Sequence, residues 1–203
     1  MSIHWSFNRI KDEQKIERLN VDWKGPYSWP KFEEVNDLPQ MPDVEGVYLF
    51  SFTFKNGYLV TGVGVTNSTV KRIKQHNREF KKGNYTILNV ESVKIGERKE
   101  IWHGWKYAKE NQLEFNEKRE AIYSSLNLYL SEMKLFIAEQ SDKRLRERTE
   151  AAIVYGLYVS KQPWSEVIDR GMYLNGRYNS EMPILTINHF EKPIFGLPEE
   201  LEI

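Results

Sequence analysis

No cysteine occurs in the 203 residues, which removes thiol nucleophiles, disulfides and thiolate metal sites from consideration. Net charge is absent as well, because 29 Lys and Arg balance 29 Asp and Glu. That balance argues against a chain that coats nucleic acid through bulk charge, but not against a local basic patch. No hydrophobic run is long enough to span a bilayer. The opening stretch MSIHWSFNRIKDEQKIERL lacks the apolar centre of a secretory leader, and both absences point to a cytoplasmic protein without a membrane partner. The glycines form no G-x-G-x-x-G or G-x-x-x-x-G-K-[ST] pattern, which argues against a nucleotide-phosphate cradle. The histidines at 4, 76, 103 and 189 never stand four apart, so a zincin-type centre is disfavoured. There is no G-x-S-x-G elbow for a serine nucleophile.

What is present is the composition of an ordinary globular protein, 40% hydrophobic and 29% charged. The length suits a single domain, 1–203, able to bury a sizeable core. Residues 1–42 read as an aromatic N-terminal arm, ordered because the Trp and Tyr residues of WKGPYSWPKF need cover. Then come two β-branched and aromatic runs, GVYLFSFTF (46–54) and YLVTGVGVT (58–66), joined by KNG. Two such runs around Asn-Gly predict a β-hairpin.

A helix follows. Asn67 and Ser68 are N-cap candidates, and Val70, Ile73, Asn77 and Phe80 keep the spacing of an inward stripe. Arg72 and His76 share a neighbouring face. Lys71, Lys74, Arg78, Lys81 and Lys82 add five more cations against the single acid Glu79. The segment 86–95 reads as a third strand, completing a sheet-and-helix unit over 43–95. Residues 96–140 look like a helical insertion, with Ile122, Leu126, Tyr129, Leu130, Met133, Phe136 and Ile137 on one stripe. A further helix over 141–165 starts at Asp142, and the tail 166–203 reads as loop with one or two short strands. The expected class is α/β (α+β): a small, mainly antiparallel sheet flanked by helices.

One spacing carries chemistry. GVY lies at 46–48, GVG at 62–64, Arg72 eight residues after Gly64, and His76 four beyond it. Over roughly 43–165 this resembles the GIY-YIG nuclease superfamily, in which a GIY strand and a YIG strand precede a helix carrying Arg and a His or Tyr. The resemblance implies a GIY-YIG-like core and a Mg²⁺-dependent endonuclease, with Mn²⁺ able to substitute, acting on DNA and by analogy of the restriction type. It implies Tyr48, Arg72, His76 and Glu150 as catalytic residues and Glu150, on the helix of 141–165, as the metal ligand. Lys71, Lys74, Arg78, Lys81 and Lys82 would then grip the nucleic-acid backbone through charge that carries no sequence information. For the family's late Asn the chain offers only Ser165 and Asn175.

The chemistry agrees with those residue types. A planar guanidinium suits the charge that builds on a phosphodiester under attack, one carboxylate suffices for a largely hydrated Mg²⁺, and a phenol or imidazole can move a proton from water. The departure is Gly62, which stands where the family has its second tyrosine; Tyr58, four residues earlier, shares its face in a regular pleat but lies too far along to replace it. That departure keeps a non-catalytic nucleic-acid-binding module derived from such a nuclease as the alternative. A protein-interaction domain built on the aromatic arm is the third reading. Each residue also has a plainer role open to it. Tyr48 suits a core aromatic, His76 a surface position, Glu150 an ion pair with Arg146, the basic run a solvated face, and His103 a packed or base-contacting position.

Overall fold

The computed structural model describes residues 16–203, so the first fifteen residues of the aromatic arm, Trp5 and His4 among them, lie outside the described residues. The chain runs β1 (Glu17–Asp22), β2 (Lys24–Ser28), α1 (Glu33–Asn36), β3 (Gly46–Phe54), β4 (Gly57–Thr66), α2 (Thr69–Lys81), β5 (Ile87–Leu88), α3 (Val90–Lys94) and β6 (Glu100–Trp102). It continues through α4 (Trp105–Glu110), α5 (Gln112–Glu117), α6 (Arg119–Glu132), β7 (Lys134–Glu139), α7 (Lys143–Val159), β8 (Ile184–His189), β9 (Ile194–Phe195) and β10 (Glu200–Glu202). The fold is mixed α/β. Its centre is a mostly antiparallel sheet in the order β2-β7-β3-β4-β9, where only β4 and β9 run parallel. A second sheet has the order β1-β8-β10, and β5 pairs with β6.

The hairpin of β3 and β4 forms as its sequence predicts, with Lys55 at a φ of 51° in the turn. Its two faces serve two cores. Tyr48, Phe50, Phe52 and Phe54 pack with α2 and α6 residues such as Ile73, Phe80, Leu126 and Tyr129. Val47, Leu49, Val60 and Val63 pack on the other side against Ala152, Ile153 and Leu157 of α7. The register slips between Phe50 and Ser51, so that Thr61 is an extra residue in β4. This bulge inverts the pleat on either side of it. Tyr58 therefore packs edge-on against Phe136 in the second core, on the face away from Gly62, contrary to the expectation from regular alternation.

Three other expectations are corrected. The segment 86–95 is not one strand: after Ile87 and Leu88, the Asn89 side chain accepts the Ser92 N–H at 3.0 Å and starts α3. The stripe through Ile137 is not one helix either. α6 ends at Glu132, and Lys134–Glu139 is a strand between β2 and β3, with Leu135 and Ile137 in one core and Phe136 and Ala138 in the other. A strand buried on both faces is apolar throughout, so it continues a helical stripe without a break. In the arm, Trp23 and Trp29 are buried, in keeping with the cover its aromatic residues need. Trp23 donates its indole N–H to Asn188 at 3.0 Å, and Trp29 packs edge-on against Phe50 and Phe80. The tail has three short strands rather than one or two. Among the described residues no helix is long and apolar enough to cross a membrane.

Candidate functional site

Past Leu59 the outer edge of β4 is unpaired among the described residues, because β9 pairs with Tyr58 and Leu59. A cavity of about 410 Å³ lies against that edge, lined by Thr61, Gly62 and Val63. Tyr48, Arg72, His76 and Glu150 all line it. The four candidates thus arrive from a central strand, from α2 and from α7 at one place.

The position of α2 follows from its cap. Ser68 accepts the Lys71 N–H at 3.3 Å and donates its own hydroxyl to Asp43 at 2.6 Å, tying the helix start to the segment before β3. The buried stripe is Thr69, Ile73, His76 and Phe80, not Val70, Ile73, Asn77 and Phe80. His76 is drawn inward because partners wait there. Its Nε2 lies 2.6 Å from the Tyr48 hydroxyl, and its ring meets Phe50 and Tyr85 at centroid distances of 5.0 and 5.4 Å. A surface role for His76 is thereby ruled out, since only 7% of it is exposed. Arg72 Nε donates to the Tyr48 hydroxyl at 3.1 Å, and Nη1 donates to Gln75 Oε1 at 2.9 Å.

Proton assignments follow. The phenol oxygen accepts from Arg72, so its one hydrogen is directed to His76 Nε2, and the imidazole carries its own hydrogen on Nδ1. That Nδ1 is buried without a hydrogen-bond partner among the described residues. Burial, aided by the Arg72 charge, drives His76 down to about 3 and keeps it neutral. Burial also pushes Tyr48 up to about 12, against the pull of Arg72. Burial opposes the charge on Arg72, but Tyr48, Tyr85 and Glu150 outweigh it and the guanidinium is raised.

Glu150 is pushed up to about 7 by burial, with Arg72 acting against the rise and Glu147 adding to it. No described side chain donates a hydrogen bond to its carboxylate. Arg146, the candidate ion-pair partner, turns away: it bonds Glu45 at 2.8 Å, Asn67 at 2.6 Å and two backbone carbonyls. Among the described residues no three Asp, Glu or His side chains gather around a metal position. A lone carboxylate on a cavity wall, with no donor among the described residues, fits a hard cation that keeps most of its water.

The five predicted backbone-gripping cations are exposed, Lys71, Lys74, Arg78 and Lys81 on α2 and Lys82 at its C-cap. Lys82 pairs loosely with Glu79 at 3.5 Å, while Arg78, Lys81 and Lys82 border a second hollow with Arg119. Ser165 and Asn175 do not line the cavity; Asn175 is bonded to Glu147 and Tyr178. His103 is exposed and meets Glu100 at 2.9 Å.

Sequence reading missed the far wall. Tyr85, Trp105, Tyr129 and Asp169 line the cavity, and they come from loops and helices that carry no motif. The one available signal was IWHGW, where the tryptophan rather than the histidine reaches the site. No family model matches the chain, and neither a curated protein nor a solved structure matches it.

Proposed function

We propose that this chain is a metal-dependent endonuclease that hydrolyses DNA phosphodiesters at a site of the GIY-YIG type. The observation that carries the reading is the hydrogen-bonded trio Arg72, Tyr48 and His76 facing Glu150 across one cavity. Phosphodiester hydrolysis needs a fixed cation for the phosphoryl oxygens, a path for the proton of water and a holder for a divalent ion. In this reading Arg72, the Tyr48–His76 pair and Glu150 supply one part each.

Arg72 is the phosphate-facing cation. Nε and Nη1 are held by Tyr48 and Gln75, which fixes the guanidinium plane while Nη2 makes no hydrogen bond with a described residue. The Tyr48 oxygen accepts a proton from the attacking water as its own passes to His76 Nε2. The water O–H and the phenol O–H break, and the new bonds form on the phenol oxygen and the imidazole. His76, driven down to about 3 by burial, is neutral at physiological pH and keeps Nε2 as an acceptor; the same burial makes it a weak base, which holds the proton only in passing. Glu150 would hold Mg²⁺ together with water, and the ion would supply positive charge for the leaving oxygen. The exposed cations of α2 would track the phosphate backbone.

The second reading, a binding module without catalysis, is favoured by Gly62, which puts no side chain where a second phenol would reach water. Nicking of supercoiled plasmid separates the two. Mg²⁺-dependent nicking by wild type that is lost in Glu150→Gln supports the nuclease. Salt-sensitive binding with no nicking in Mg²⁺ or Mn²⁺ supports the module.

A further inference from the structure

We infer that the cavity beside Arg72 receives an unpaired nucleobase, stacked against Trp105 and Tyr85, so that the substrate is a strand whose base at the cut has left its duplex. This rests on the nuclease reading for the position of the phosphate. The base site itself rests on four other observations.

The first is Trp105. It opens α4 with a φ of 59°, a backbone conformation that bulky residues rarely adopt, and it is 42% exposed. A large ring held strained and half in solvent is not explained by core packing. The second is how firmly it is held. The Trp105 N–H donates to the Asn84 carbonyl at 2.8 Å, the indole N–H donates to Asp169 Oδ2 at 2.6 Å, and Gly104 sits so close to Tyr85 and Thr86 that a Cβ there would strike their backbone. Its ring lies 5.5 Å from that of Tyr85, which in turn lies 5.4 Å from His76. The aromatic rings therefore lead from the proton path outward along the cavity wall.

The third is Gly62. Its place opposite Phe50 turns it toward this cavity, and a Cβ there would come nearest the Phe50 side chain, at 3.1 Å. A tyrosine at 62 would extend into the space, and glycine leaves it open. The volume of about 410 Å³ is within the range of sites that take small planar ligands. The fourth is Asp169. Arg98 and Trp105 each hold one of its carboxylate oxygens, at 2.7 and 2.6 Å. Each oxygen keeps a second acceptor position, suited to the amino or ring N–H edge of a base. Stacking faces beside an edge acceptor, next to a phosphate-binding arginine, are how proteins take up bases outside a helix.

The test is binding without metal, read by fluorescence anisotropy in EDTA. Two oligonucleotide duplexes of one length are compared, one fully paired and one with a single central unpaired base. Wild type is expected to bind the second roughly tenfold tighter or more, the range of one base–aromatic stack. Trp105→Ala should abolish that preference without changing affinity for the paired duplex, and Trp105→Phe should keep most of it. Gly62→Tyr, which fills the cavity from the sheet, should abolish it independently. Equal binding of both duplexes by wild type, or a preference that survives both Trp105→Ala and Gly62→Tyr, overturns the base site. Cleavage assays with Mg²⁺ on the same duplexes judge the nuclease reading separately. Cutting with no such preference keeps the nuclease and removes the base site, whereas a Trp105-dependent preference without cutting keeps the base site and removes the nuclease.

Discussion

Gly64 lies opposite Tyr48 on the hairpin, and the tyrosine ring crosses the space that a side chain at 64 would fill. A Cβ there would overlap the tyrosine hydroxyl. The second glycine of GVG thus makes room for the hydrogen bonds of Tyr48, whereas the first makes room for the cavity. Gly64→Ala is expected to displace the phenol from His76 and Arg72 and to slow plasmid nicking roughly 10²-fold. Gly62→Ala, whose nearest contact is the Phe50 side chain, should retain most activity. Equal activity in the two variants would remove this division of labour.

Tyr48→Phe deletes the hydroxyl and keeps the ring. Nicking should fall roughly 10²-fold or more. Stability should also fall, by about 1–3 kcal/mol, because His76 Nε2 then joins Nδ1 as a buried group without a partner. The comparison is made well below both melting temperatures. Normal cutting by the variant would return Tyr48 to a packing role.

Arg72 is held edge-on by two hydrogen bonds through different nitrogens, a geometry an ammonium cannot reproduce. Arg72→Ala should lower the cleavage rate by roughly 10²-fold or more, and Arg72→Lys should not restore it. Lys71→Ala, on the exposed face, should weaken binding uniformly across sequences and reduce the salt slope of binding by about one. A larger cleavage loss in Lys71→Ala than in Arg72→Ala would show the wrong face of α2 to be the reactive one.

Glu150 and His76 load the metal-free protein with opposite pH dependences. Glu150 titrates near 7 when folded, above its ordinary 4.5. Its contribution to stability is full below 4.5 and is lost as pH rises through 7, up to about 3 kcal/mol. His76 is depressed from 6.5 to about 3, so its contribution is present above 6.5 and is lost as pH falls through 3. Glu150→Gln removes the first effect alone. In EDTA it should melt higher than wild type above pH 7, with the gap closing below 4.5, while losing Mg²⁺-dependent cleavage. A gap independent of pH would mean that Glu150 is not a strained carboxylate.

The hairpin, the cap at Ser68 and the helix from Asp142 were legible because each is decided by neighbours in sequence: a turn dipeptide, a hydroxyl, a carboxylate. That Tyr48, Arg72 and His76 come to one cavity was legible through one spacing, and Glu150 entered only through the resemblance; the inward turn of His76 was not legible, since it depends on a phenol 28 positions away. The bulge at Thr61 left no mark in the alternation and reversed the face of Tyr58. β7 was hidden because a strand covered on both sides carries no period of its own. The aromatic wall was unreadable for a related reason: Tyr85, Trp105 and Asp169 meet only after three separate loops have been folded together.

The order β2-β7-β3 also says something about how the chain must be made. Strand β3 leaves the ribosome soon after β2 and can close its hairpin with β4 at once, a local event. Its other edge has to wait for Lys134–Glu139, so the growing chain carries an unpaired, aromatic strand edge while the whole of 67–133 is synthesised. Such edges are templates for pairing with another chain. A nascent chain halted before Glu139 should therefore associate with its neighbours and require chaperone cover, and one released after β7 has been inserted should not. The sheet that gathers the candidate site is in this sense sealed by its latest central strand.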